Sequence, residues 1–219
     1  MHTSINRRNF FKSSATLAAG FTASSFLGTT ASAHELPDEK SQFVIGPMEG
    51  YSPHVGTLVS MLNYNRQTII NAVQKLTMAE VDFLFDAKSN TIGALILHLG
   101  ATDKFYQVNT FEGRQELNKD EKRDWEAAMT LGDVGRKMIK GQEVKYYLQR
   151  IAEVREKTLA EFKKKDDAWL LAIDPEWSKG REALNTYWKC FHVCEHESNH
   201  RGQISWQKGR LPGAKATRE

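Results

Sequence analysis

Apolar side chains along most of this chain recur every three or four residues, the spacing of helices that each bury one face. The first stripe is His54, Leu58, Met61, Leu62, Asn65, Ile69, Val73 and Leu76, and Ser52-Pro53 ahead of it reads as an N-cap followed by proline at the first helical position. Thr77 with Glu80 three residues on is a capping-box pattern for a short turn, and Asp86 to Asn90 reads as a loop. A second helix starts at Thr91 on Thr91, Leu95, His98, Thr102, Phe105 and Asn109, widened by Ile92, Ile96 and Leu99 and ended by Gly113. Residues 114–141 are charged and punctuated by glycine, with helical pieces from Lys119 to Met129 and from Val134 to Lys140, and read as a crossover insertion. A third helix, Glu143 to Lys165, uses Val144, Leu148, Ile151, Val154, Thr158 and Phe162, with its Lys and Glu residues on a wet opposite face. After a loop from Asp174 to Arg181, a fourth helix runs from Asn185 to Lys208 and stops at Gly209 and Pro212. No stretch alternates with period two long enough for a sheet. The pattern predicts an all-α fold, a four-helix bundle with a helical insertion between helices two and three.

Composition adds a boundary at the N-terminus. The chain has 219 residues, 40% apolar and 26% charged, with a net charge of +3, which suits one domain with a sizeable core. That net charge sits in the first 33 residues, which hold Arg7, Arg8 and Lys12 and no acid. The paired arginines, a mildly apolar stretch from Ala15 to Leu27 and the small-residue cut site Ala31-Ser32-Ala33 predict a twin-arginine signal peptide over residues 1–33 and a periplasmic or extracytoplasmic destination. A polar leader over 34–50, the bundle over 51–212 and a tail over 213–219 complete the expected organisation. The neutral body gives little reason to bind nucleic acid, and no apolar run approaches the ~20 residues of a membrane anchor. A homodimer is compatible with this outline. Cys190 and Cys194, four apart on one helix, are placed to pack and not to bridge.

The chemistry lies in the histidines. His192, His196 and His200 fall at i, i+4 and i+8 on helix four, so their rings share one stripe. Trp188, Phe191, Val193, Ile204 and Trp206 flank that stripe, which predicts a well-buried helix where unpartnered imidazoles would be costly. A divalent ion resolves the cost, and His98 stands on the inward stripe of helix two where a leucine would otherwise be expected. His98, His196 and His200 are therefore the expected ligands, three imidazoles with an open fourth position as in catalytic sites. Zinc is the expected ion, with nickel or iron as alternatives. His192, His54 and Asn65 are expected around the ligands, as hydrogen-bond donors behind them or as pocket wall. Glu195, Glu197 and Asp103 are the carboxylates in reach, and in helical projection Glu195 lies nearer the histidine stripe, making it the expected catalytic base.

The runs HVCEHESNHRGQI, SNTIGALILHLGATDKFY and MLNYNRQTIINAVQKL together resemble the DinB-like superfamily of four-helix-bundle metalloenzymes over most of the mature chain. The resemblance implies a metal triad at His98, His196 and His200. It also implies a small-molecule substrate or thiol, since some relatives are thiol-dependent transferases or isomerases in which the metal activates a low-molecular-weight thiolate. Arg201, Gly202 and Gln203 fit the family pattern too: Gly202 would admit a neighbouring helix, while Arg201 and Gln203 would satisfy polar groups near the end of the bundle.

Two other functions compete with this enzyme. His196, Glu197 and His200 match H-E-x-x-H, the zinc-peptidase pattern, but no downstream His follows as third ligand and Gly202 comes one position early for the metzincin extension. A non-enzymatic bundle binding a metal or small ligand, with Trp188, Trp206 and Tyr64 lining the pocket, is the other alternative.

Overall fold

The computed structural model describes residues 41–180 and 182–214. The expected signal peptide of residues 1–33, the start of the leader, Arg181 and tail residues 215–219 lie outside them. The described residues hold eight helices: α1 (Pro53–Val73), α2 (Met78–Val81), α3 (Ile92–Glu112), α4 (Lys119–Thr130), α5 (Gly132–Met138), α6 (Val144–Phe162), α7 (Asp167–Leu171) and α8 (Thr186–Lys208). They contain no strand, only one isolated bridge between Ile173 and Asn185. The fold is the expected all-α bundle, with α1, α3, α6 and α8 as its four long members.

Local chemistry sets most boundaries. Thr77 and Glu80 form the capping box of α2, Thr91 caps α3 through Ala94 N–H, and Asn185 caps α8 through Trp188 N–H. Gly113 ends α3 at φ 68°, a left-handed conformation that favours glycine. Ser52 departs from its expected role. It occupies the N-cap of α1, yet its hydroxyl donates to Asp167 Oδ1 at 2.6 Å, and that same oxygen accepts the N–H groups of His54 at 2.9 Å and Val55 at 3.3 Å. The cap of α1 thus comes from α7, a five-residue helix whose length leaves no periodic signal.

Contacts fix the directions of the long helices. Asn65, Arg66, Thr68 and Ala72 on α1 meet Cys194, Glu197, Arg201 and Lys208 in the same order on α8, so these two run parallel. Gly93, Gly100 and Gln107 on α3 meet Tyr147, Ile151 and Thr158 on α6, again in parallel. The residue order between α3 and α8 is reversed. Since α3 and α6 point the same way, the chain must travel the length of the bundle between them, and α4 and α5 are that return path. Gly93 and Gly100 permit the close approach: a Cβ would lie 2.9 Å from the Tyr147 ring at the first and 2.9 Å from Trp125 at the second. From Ile92 to Asp103 every residue of α3 is buried except His98, so α3 is the central rod, covered on all sides.

The apolar interior has two halves. One gathers Ile69, Leu95, Leu99, Tyr147, Ile151 and Ile204; the other gathers Val55, Leu58, Leu62, Phe162, Cys190 and Val193. A charged layer lies between them. Arg155 donates to Asp103 Oδ2 at 2.7 Å and to Glu197 Oε1 at 2.8 Å, while Arg66 donates to Glu197 Oε1 at 2.5 Å and to the Ile151 carbonyl at 2.7 Å. Thr158 closes the layer on Asp103 Oδ1 at 2.9 Å. All four charged residues are buried, one on each long helix, and two cations balance two anions.

Two expectations about the outer surface are corrected. Trp188, Phe191 and Trp206 are 44%, 45% and 52% exposed, because α8 buries Cys190, Val193, Cys194, Glu197 and Ile204 on its inner face and leaves these aromatics outside. Gly202 admits no helix, since a Cβ there would meet nothing within 4 Å. The leader packs along α1, with Gly46 N–H on Ser60 Oγ at 3.2 Å and the Phe43 ring 6.3 Å from that of Tyr64.

Candidate metal centre

Three imidazoles converge where α3 crosses α8. His98 Nε2 lies 3.1 Å from His196 Nε2, which lies 3.1 Å from His200 Nε2, and one ligand atom from each ring falls within 4.8 Å of the others. The i, i+4 spacing on α8 sets two rings one above the other, and the antiparallel α3 brings the third across.

Hydrogen bonds behind the rings fix two tautomers. His98 Nδ1 is 2.8 Å from the Ala128 carbonyl oxygen, and His200 Nδ1 is 3.0 Å from Gln203 Oε1. Both partners are acceptors, so both Nδ1 atoms carry hydrogen and both Nε2 atoms present lone pairs inward. His196 can place at most one N–H between two such lone pairs. Three nitrogens this close, with at most one hydrogen among them, suit a shared cation. Tetrahedral coordination of a divalent ion by three imidazole nitrogens separates them by about 3.3 Å, close to two of the three spacings here.

The electrostatics point the same way. Burial, followed by the neighbouring imidazoles, pushes His196 down to about 3. Burial likewise lowers His98 and His200, with the Ala128 and Gln203 bonds opposing it. The rings are neutral at neutral pH, the state a metal ligand needs. All three are half-buried, so the cluster keeps an open side.

The other candidate residues distribute unevenly. Gln203 holds the His200 ring, as just described. Arg201 donates to Thr68 Oγ1 at 3.0 Å and ties α8 to α1. Asn65 Nδ2 donates to the Cys194 carbonyl at 2.9 Å, a buried bond between helices. His192 stands one turn before His196 with ring centroids 6.1 Å apart; it stacks on Trp188 at 5.4 Å, and its Nδ1 is 3.3 Å from Glu195 Oε2. His54 is exposed at the start of α1, near Tyr187, and does not join the cluster. Nor does Glu195, whose side chain is 63% exposed and engaged by His192: it sits on the flank of α8 that faces solvent. Glu197 and Asp103 belong to the charged layer. Glu197 points away from its histidine neighbours toward α1 and α6, so the H-E-x-x-H match lacks the free carboxylate a peptidase needs. Trp188, Trp206 and Tyr64 line no common pocket: Trp188 stacks on His192, Trp206 meets Phe85 at a tilt, and Tyr64 meets the leader. Cys190 and Cys194 are free and buried, and burial pushes both thiols up to about 12, as befits packing residues.

Sequence reasoning missed Ala128 and the arginines. Arg155 falls between the stripe residues Val154 and Thr158 without marking itself as buried, and a backbone carbonyl leaves no mark in a sequence. The one available signal was Arg66, which directly follows Asn65 on the inward stripe.

The all-α bundle presents three imidazoles from two crossing helices, a group able to hold a metal ion, as the DinB-like resemblance implies. Residues 57–210 match the family model described as mycothiol-S-transferase, and the chain belongs to that family. A search of curated proteins gave no match.

Proposed function

We propose that this chain is a divalent-metal-dependent S-transferase that joins a low-molecular-weight thiol to an electrophilic small molecule, with His98, His196 and His200 as the ligands. The observation that carries the reading is the inward lone pairs of His98 and His200, set by Ala128 and Gln203, meeting at His196. The family match supports a thiol as one reactant.

A divalent ion in this donor set supplies an open position that brings the pKa of a bound thiol or water toward neutrality. The chain's own residues do the rest. Ala128 and Gln203 keep two rings in the ligating tautomer, and burial keeps all three uncharged. In the overall reaction the thiol gives up its proton to solvent, a carbon–sulfur bond forms, and the leaving group departs with the electron pair of its bond to carbon, so that a thioether and the acid of the leaving group are the products. Zinc is the proposed ion, because three imidazoles with an open position suit its tetrahedral preference. We further propose export, on the strength of Arg7, Arg8 and the Ala31-Ser32-Ala33 cut site.

Metal analysis of the purified chain tests the centre. One divalent ion per chain is expected, lost in both His98→Ala and His196→Ala, and occupancy unchanged by these substitutions overturns the site. Conjugation of small thiols to alkyl halides should stop on chelation and return with zinc. No conjugation by the zinc-loaded chain across common thiols overturns the transferase.

A further inference from the structure

One turn beyond His200, a cleft of about 580 Å³ opens between α8 and the loop of residues 86–90. The volume is that of a small-molecule site. It adjoins the metal centre through Gln203, which lines it and also holds His200, and through Leu95, three residues before His98.

Its lining is chemically one-sided. Leu95, Gly202 and Trp206 give apolar surface, Asn199 and Gln203 give amides, and Lys88 gives the one formal charge; no carboxylate lines it. The nearby Asp86 lies outside the lining, where its Oδ1 accepts the N–H groups of Lys88 at 2.7 Å and Ser89 at 2.8 Å and shapes the loop. Two arginines stand near the cleft without lining it, and Arg136 is itself paired with Asp133. Arg136 donates to the carbonyls of Lys88 and Ser89 at 3.0 and 3.1 Å, and the Arg210 guanidinium lies 4.3 Å over the Trp206 ring.

The walls are built in advance. Asp86 and Arg136 brace the loop, Gln207 Nε2 ties Asn90 to α8 at 2.9 Å, and Trp206 is steadied by Arg210 and by the tilted Phe85 ring, centroids 5.7 Å apart. A preformed cleft with a lysine and no carboxylate in its lining, amide donors and an aromatic wall suits organic anions.

We propose that this cleft binds the second reactant of the transfer and that this reactant is a small organic anion, its carboxylate at Lys88 and its apolar or aromatic body on Leu95 and Trp206. The assignment rests on the transferase reading for the word reactant, and on the cleft alone for the ligand's charge and shape.

The test uses p-toluate and p-toluamide, which share a shape and differ in charge, titrated into the full chain with and without zinc. Binding is followed by tryptophan fluorescence and by ligand-observed NMR. Saturable binding of p-toluate is expected, at least about tenfold tighter than that of the amide. Lys88→Met should erase the preference. Gly202→Leu should abolish binding of both while zinc content and melting temperature hold, because a side chain there meets only open space and leucine favours a helix over glycine. Equal affinity for acid and amide, no saturation by millimolar p-toluate, or undiminished binding in Gly202→Leu each overturns the proposal. Since binding to the metal-free chain needs no turnover, failure of thiol conjugation would leave this result standing. Conversely, a chain that conjugates thiols and ignores p-toluate would sink the anion site alone.

Discussion

The Ala128 carbonyl accepts a hydrogen bond from His98 Nδ1 at 2.8 Å, which makes the crossover between α3 and α6 part of the candidate metal centre. Ala128 belongs to α4, and α4 reaches α3 because Gly100 leaves room for Trp125. Gly100→Val should push Trp125 and Ile151 outward, costing about 1–3 kcal/mol of stability. It should also weaken metal binding by roughly 10–100-fold, because the acceptor that orients His98 moves with α4. Urea unfolding and chelator competition measure the two effects. A variant with reduced stability and unchanged metal affinity would show that Ala128 does not orient the ligand.

Glu197 and Glu195 are two positions apart and should respond oppositely to truncation. Glu197→Ala leaves Arg66 and Arg155 facing each other in the buried layer, and we expect a loss of about 3–5 kcal/mol. Glu195→Ala removes an exposed partner of His192 and should change stability by no more than about 0.5 kcal/mol. Denaturant midpoints of the two variants decide it. A stable Glu197→Ala protein that has lost only activity would return Glu197 to a catalytic role.

What the sequence revealed follows the range of each interaction. The four long helices, the capping box at Thr77 and the stop at Gly113 rest on contacts within a few residues, and local pattern exposes them. The histidine group was legible for the same reason on α8, and His98 was legible because a polar ring interrupts an apolar stripe. The charged layer was not, because each member sits on a different helix and a buried Arg155 has the same spelling as a solvated one. The cap of α1 by Asp167 spans more than a hundred residues of chain and leaves no local pattern. Helix direction escaped as well: the length of segment 114–141 was visible, while its cause, the parallel pairing of α3 and α6, requires the fold.

Acid should loosen the metal-free chain through its histidines. Burial and neighbouring imidazoles hold His196 down to about 3, and burial lowers His98 and His200. An unfolded imidazole takes its proton at about 6.5, so the unfolded chain binds more protons below that pH. Stability contributed by the neutral rings is therefore present above about 6.5 and is lost progressively as pH falls toward the folded values. The urea midpoint should drop between about pH 7 and about pH 5. His196→Gln should drop less over that range. A parent and a variant with the same slope would mean that these rings titrate as freely as exposed ones.

Zinc should raise the melting temperature, and the variants that lose this response should name the ligands. An ion present at 100 times its dissociation constant stabilises a folded site by about 2.7 kcal/mol, a shift of about 5–10 °C for a domain of this size. His98→Ala, His196→Ala and His200→Ala should each abolish the shift, because two imidazoles hold an ion far more weakly than three. His192→Ala should retain it: that ring lies flat on Trp188 with its Nδ1 turned to Glu195, outside the group that converges on His196. Differential scanning fluorimetry with and without zinc reads all four variants. Loss of the shift in His192→Ala would make His192 a fourth ligand, closing the open position on which the transferase reading depends.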